Sequence, residues 1–226
     1  MRYSFDRTGF PYLVLDEIGL AVGLLPVTKI QFECYLADKH TSQSDFWYDE
    51  ILKLNPRISP AHFTSETREQ LFITGLLPEE AEAFARWLGN GYRVPTVTEW
   101  RSVYQYLQKI PFNTVYNIDT GEENTPIQVQ ILLQRLLSQH LSPKTALEFS
   151  LMQGGVVEWV QESEEWLGLG APRAAFHNNL WNPMVETIRP IRLDKRNFYF
   201  GLRLVKPLLR NGGTLSQQLF SLKMEK

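Results

Sequence analysis

With 226 residues, 43% of them hydrophobic and 21% charged, the chain is long enough to bury one sizeable core and reads as a soluble globular domain. Its net charge of −2 excludes a global electrostatic pull toward nucleic acid or anionic membrane, and its single cysteine, Cys34, excludes an internal disulfide. The longest apolar run near the start, 18–26, is too short for a membrane span and lacks the basic flank and cleavage site of a signal peptide, so a cytoplasmic protein is expected.

Residues 12–15 and 18–25 are predicted as short apolar strands leading into Pro26. Thr28 and Gln31 then form a capping box, in which each side-chain oxygen accepts the other's backbone N–H, for a helix through about residue 37. Cys34 lies one turn beyond Ile30 and is expected on the inner helix face, because free cysteine is among the most buried residue types. From 38 to 74 the chain is polar and turn-rich, a surface excursion with a short helix expected over 47–54. His40 and His62 lie here, and His140 and His177 are distant in sequence. Without HxxxH, HExxH or cysteine-containing spacing, all four read as exposed or hydrogen-bonding rather than metal-ligating.

The stretch 75–107 carries the most complete set of local signals. Pro78 suits a first helical position, where its missing N–H would have no partner anyway, and Glu79, Glu80 and Glu82 complement the positive helix start. Ala81, Phe84, Ala85 and Leu88 share one face, and Gly89 or Gly91 suits a left-handed C-cap. After an extended segment before Pro95, Thr96 and Glu99 predict a second capping box and a helix with Trp100, Val103, Tyr104 and Leu107 on one stripe.

A loop over 111–124 precedes Thr125 and Pro126, which read as N-cap and first position of an apolar helix over 126–141. Its wide stripe, Val129 to Leu141, packs into the core or faces a protein partner. Acidic residues at 162–165 lead into an irregular segment from 166 to 193. Its Trp166, Phe176, His177, Asn178, Asn179, Trp181 and Asn182 combine rigid aromatics with adaptable amides, a composition suited to recognition loops; such aromatics also pin loops to a core. Together with Arg192 and Tyr199 they form the candidate ligand-binding set for a protein or small molecule. Arg189, Arg192, Lys195, Arg196 and Arg203 make a basic run, but nucleic-acid motifs are absent and the 158–165 carboxylates offer counter-charge. A strand is expected over 198–205. Thr214 and Gln217 then cap a last helix, 214–222, in a tail spanning 206–226 that offers a second partner surface.

Four ordered segments, PVTKIQF (26–32), YRVPTVTEW (92–100), MQGGVVEW (152–159) and GLRLV (201–205), resemble the signatures of the formylglycine-generating enzyme, or sulfatase-modifying factor, family. The resemblance implies an α+β, C-type-lectin-like fold with irregular loops and few short strands over residues 1–205, with Arg93, Thr96, Glu99, Trp100, Glu158, Trp159 and Arg203 as framework residues. It also implies an oxidase whose copper is held by two late cysteines, since copper(I) takes soft thiolates. The corresponding stretch, 173–200, has no cysteine. Nor does the chain carry the helical domain and histidine cluster of the family's ergothioneine-type branch. Gly155 replaces the asparagine that supports calcium in the family, so one ligand of that site is missing; structural calcium stays open, and no other cofactor is expected.

The expected function is therefore a noncatalytic ligand- or protein-binding domain that presents 166–200 as its surface. Within that reading, the chain is similar to the retroelement-diversified variable proteins, which place their variable segment before a GFRLV-like strand. The alternatives are a metal-dependent oxidoreductase with altered ligands and a structural subunit of a larger assembly. No nucleophile elbow, Walker loop or dinucleotide fingerprint points to another enzyme.

Overall fold

A computed structural model describes residues 2–39, 44–56, 68–111, 127–138, 145–152, 156–170 and 182–208, without the side chains of 128 and 136–138. In chain order the described elements are β1 (Arg2–Phe5), β2 (Pro11–Leu15), β3 (Leu20–Gly23), α1 (Lys29–Lys39), α2 (Asp45–Leu54), α3 (Pro78–Leu88) and α4 (Val97–Gln108). They continue with α5 (Ile127–Ser138), α6 (Ala146–Ser150), β4 (Val157–Glu162), β5 (Glu165–Leu169), β6 (Phe200–Gly201) and β7 (Val205–Pro207). The architecture is α+β, with short strands and helices of at most twelve residues.

The first sheet is antiparallel in the order β1-β2-β3-β7, with Leu13 opposite Val22 and Val22 opposite Val205. Strand alternation sends Leu13, Leu15 and Val22 into one core with Trp100, Val103 and Leu133, and Tyr12 and Ala21 into another with Phe32, Phe84 and Leu204. Burial on both faces explains why this part of the sequence is apolar almost throughout instead of alternating. The second sheet has the order β5-β4-β6: β4 and β5 form a hairpin, and β6 runs parallel to β4. It alternates in the same way. Val157 and Trp159 enter the Phe84 core, while Val156 and Val160 face Trp100.

Helix α4 forms where its signals are: Thr96 Oγ1 accepts the Glu99 N–H at 3.1 Å, Glu99 Oε2 accepts the Thr96 N–H at 2.9 Å, and Val97, Trp100, Val103, Tyr104 and Leu107 are buried. Helix α1 is capped equivalently, with Thr28 N–H donating to Gln31 Oε1 at 2.9 Å and Gln31 N–H to Thr28 Oγ1 at 3.3 Å. Helix α3 begins at Pro78 with half a box, because Leu77 at the N-cap has no side-chain acceptor and only its N–H is taken, by Glu80 Oε2 at 2.9 Å. Its exit is sharp. Gly89, Asn90 and Gly91 have φ of 73°, 53° and 78°, a left-handed run that two glycines and an asparagine adopt with least strain.

Five expectations are corrected. Cys34 is exposed rather than buried, because the buried stripe of α1 is Gln31, Phe32, Tyr35 and Leu36, which turns position 34 outward. The 18–25 strand shortens to Leu20–Gly23. The 198–205 strand is two strands in different sheets, since between them the carbonyls of Leu202 and Leu204 accept the N–H groups of Val27 and Gly23 at 2.8 and 2.9 Å. Trp166 does not open an irregular region but lies on β5. Strand β7 runs to Pro207, past the boundary expected at 205. The four histidines, Gly155, the Thr125–Pro126 cap and the 214–222 helix lie outside the described residues. No helix among the described residues is long and apolar enough to cross a membrane.

Candidate functional site

Three of the four resembling segments converge on one buried ion pair. Glu158 on β4 and Arg203, between β6 and β7, are 0% and 1% exposed. Glu158 accepts from Arg203 Nε at 3.0 Å, from Arg203 Nη2 at 2.8 Å and from Trp100 Nε1 on α4 at 2.6 Å. Arg203 Nη1 donates to Gly23 O and Ser150 Oγ, each at 2.7 Å, and Nη2 also donates to Ser150 O at 2.7 Å. All five guanidinium hydrogens thus have acceptors, and Ser150 Oγ in turn donates to Leu24 O at 2.6 Å. A fully satisfied buried network of this kind joins β3, α4, α6, β4 and the closing segment; it is a framework device, with neither an open side nor a reactive group. Trp159 is a second anchor, donating to Leu76 O at 2.9 Å and packing on Phe200.

Arg93 and Glu99 hold the turn into α4 through paired bonds of 2.6 and 2.5 Å, and Arg93 bridges to Val205 through its backbone. Burial pushes the Glu99 carboxyl up, but the Arg93 guanidinium and the Thr96 N–H outweigh this and hold it below the usual carboxylate value.

The candidate binding residues are spread apart. Trp166 is half-buried, edge-on to Trp159 with ring centroids 6.0 Å apart, so it pins β5 to the core. Asn182 is exposed and builds a local turn, its Oδ1 accepting the Met184 N–H at 3.0 Å. Arg192 is exposed and paired with Asp194, and Tyr199 is 50% exposed. Among the described residues, no hydrogen bond or ring contact joins these four to one another. Phe176, His177, Asn178, Asn179 and Trp181 lie outside the described residues.

What the 182–199 segment does present is apolar surface. Val185, Ile191, Leu193, Phe198 and Tyr199 are 73%, 95%, 47%, 66% and 50% exposed. The backbone beneath is pinned: Arg101 on α4 donates to Pro183 O and Glu186 O, at 2.9 and 3.3 Å, and Ile188 exchanges two 2.8 Å bonds with Gly168 on β5. Glu165 faces Arg189 at 3.3 Å. Arginines 189, 192, 196 and 203 each face a carboxylate, so the basic run is largely neutralised.

Arg196 anchors the far end of the segment and opens onto a feature that sequence reading missed. It holds Glu80 at the start of α3 through bonds of 2.6 and 2.7 Å, reaches Gly75 O at 3.0 Å, and touches Glu50 on α2 at 3.4 Å; Trp47 Nε1 donates to Glu80 at 2.7 Å. Around this network lies a cleft of about 380 Å³ between α1, α2, α3 and the segment, walled by Tyr35, Phe46 and Trp47. Three carboxylates, Glu50, Glu79 and Glu80, line it against one guanidinium, Arg196. Glu80 read only as a complement to the helix dipole, and no sequence signal links it to a residue 116 positions away. Ser44, whose Oγ accepts the Trp47 N–H at 3.2 Å, was the one local cue to where α2 begins.

Cys34, the one cysteine of the sequence, is exposed on α1, its thiol pushed up by partial desolvation and by Glu33, Asp6 and Asp38. Among the described residues, no group of three His, Cys, Asp or Glu is placed to hold a metal ion. No protein-family model matches the chain, and comparison with curated proteins gives no match either.

Proposed function

We propose that the chain is a protein-binding domain without catalytic chemistry of its own, built on a C-type-lectin-like framework of the formylglycine-generating-enzyme type. One observation carries this: the 182–199 segment holds five large apolar side chains out to solvent on a backbone pinned by Arg101, Ile188 and Arg196. Contiguous exposed apolar surface marks interaction sites, and we read the five side chains of this segment as such a surface; a backbone held at 183, 186, 188 and 196 lowers the ordering cost of binding. The meeting of three of the four resembling segments at the Glu158–Arg203 pair supports the framework assignment.

The test is cross-linking of the purified protein to its captured partner, followed by peptide mapping. Cross-links should fall at 185–199, and the double variant Ile191→Ser/Phe198→Ser should bind at least tenfold more weakly. Its melting temperature should hold, since exposed substitutions stay within about 0.5 kcal/mol. Aerobic incubation with cysteine-containing peptides and copper or iron should leave the peptides unchanged. Turnover there, or unaltered binding by the double variant, refutes the reading.

A further inference from the structure

We infer that the cleft between α1, α2 and the start of α3 seats a basic side chain, arginine or lysine, of the protein partner. This rests on the reading that the 182–199 segment docks a protein, and it adds the chemistry that the partner must bring. The cleft's volume of about 380 Å³ is within the usual range for ligand sites, roughly 300–1,000 Å³.

Its floor is closed. Glu80 accepts from Trp47 Nε1, Leu77 N and both terminal nitrogens of Arg196, and its side chain is 7% exposed, so it has little capacity left for a ligand. Arg196, the sole cation among the described lining residues, is 13% exposed and directs its guanidinium to Glu80, Glu50 and Gly75 O, which leaves little to attract an anion. At the mouth the balance differs. Glu50 is 43% exposed with a single long contact to Arg196, and Glu79 is exposed with no hydrogen bond or ion pair among the described residues. Three carboxylates against one guanidinium leave an excess of two negative charges, whose complement is a cation.

The aromatic wall separates a polypeptide from a free cation. Phe46 is 73% exposed beside these carboxylates, placed to take a guanidinium or ammonium against its ring. A small free cation would satisfy the carboxylates and leave most of that ring in water, whereas a side chain carried on a polypeptide brings apolar atoms to cover it. Continuity favours the same occupant: Arg196 is two residues from Phe198 on the proposed docking segment, so the cleft and the apolar surface adjoin along the chain.

The test follows the Trp47 indole N–H by ¹⁵N NMR, assigned with Trp47→Phe, during titration with N-acetyl-Gly-Arg-Gly-amide, its lysine and citrulline analogues, and guanidinium chloride. The arginine and lysine peptides should shift the resonance and citrulline should not. Glu50→Gln/Glu79→Gln should weaken peptide binding at least tenfold, and Phe46→Ala should weaken the peptides by a larger factor than it weakens guanidinium. No shift with the arginine peptide, an equal response to citrulline, or unchanged affinity in the double variant overturns the inference. Guanidinium binding as tightly as the peptide overturns the polypeptide assignment. If peptides fail while Ile191→Ser/Phe198→Ser still abolishes partner capture, the cleft inference falls alone; the converse pattern removes the apolar docking surface and leaves the cleft.

Discussion

Replacing Glu158 by glutamine keeps the side chain's shape and removes its charge. Three donors now converge on the carboxylate, Arg203 Nε and Nη2 and Trp100 Nε1, and an amide can satisfy them through only one oxygen while its NH₂ meets at least one of them head-on. Arg203 stays charged at 1% exposure with only Ser150 and Gly23 for company. Breaking one side of such a pair costs about 3–5 kcal/mol, a large part of the roughly 5–15 kcal/mol that holds a domain folded. With a urea slope of about 2 kcal/mol per molar, tryptophan-monitored unfolding should shift its midpoint down by roughly 1.5–2.5 M. The double variant Glu158→Leu/Arg203→Met should be more stable than Glu158→Gln, because it removes the buried charge together with its partner. A loss below about 1 kcal/mol in the single variant would mean that water reaches the pair, and the sealed framework described above would be wrong.

Thr96→Ala removes the acceptor of the Glu99 N–H and should cost roughly 0.5–2 kcal/mol in urea unfolding. Glu99 carries a pH signature: because its folded carboxyl lies below the ordinary 4.5, its stabilisation is complete above that value and is lost as the pH falls through the lower folded value. The stability gap between the native protein and Glu99→Gln should therefore be constant at neutral pH and narrow below about pH 4.5, and a gap independent of acid would contradict the pairing with Arg93. Gly201→Ala places a methyl group 2.5 Å from the Ile73 carbonyl oxygen, which cannot step aside, and should cost about 1–3 kcal/mol by thermal unfolding. Cys34 should react with a disulfide reagent in the native protein to one equivalent, but more slowly than free cysteine, because its thiol is pushed up by burial and acidic neighbours.

What could be read in advance divides by sequence distance. The capping boxes of Thr28–Gln31 and Thr96–Glu99 and the apolar stripe of α4 span a few residues, and each is where the sequence places it. Glu158 could be read as a buried anchor only through its resembling segment. Its partners Trp100 and Arg203 lie 58 and 45 positions away, beyond any local rule. Cys34 shows how a composition rule fails: cysteine is buried on average, but the stripe Gln31, Phe32, Tyr35 and Leu36 sets the inner face, and position 34 falls off it. The β5 hairpin was missed because Trp166–Leu169 is rich in glycine and leucine without alternation. Gly168 is required there by close approach, since an added Cβ would lie 2.4 Å from Val157 and 2.7 Å from Phe200. The cleft was the least readable, assembled from α1, α2, α3 and a loop residue more than a hundred positions later.

The placing of the anchors has a consequence for how the proposed surface would bind. Arg101 fixes 183 and 186, Gly168 fixes 188, and Arg196 fixes the far end, so among the described residues the span from 189 to 195 is the longest in this segment without a bond to the body other than the exposed Arg189–Glu165 pair. Ile191 and Leu193 lie inside it, whereas Val185 and Phe198 lie beside the anchors. Under the proposed reading, affinity would be divided accordingly. Contacts through Val185 and Phe198 would incur little ordering cost, while contacts through Ile191 would have to offset the entropy of a seven-residue span held at both ends. The pairing of Arg192 with Asp194 inside that span shortens its effective length and keeps both charges from facing an apolar partner unpaired. Under that reading the segment presents two firm apolar points near its ends, two more adaptable ones between them, and an acidic cleft at one end.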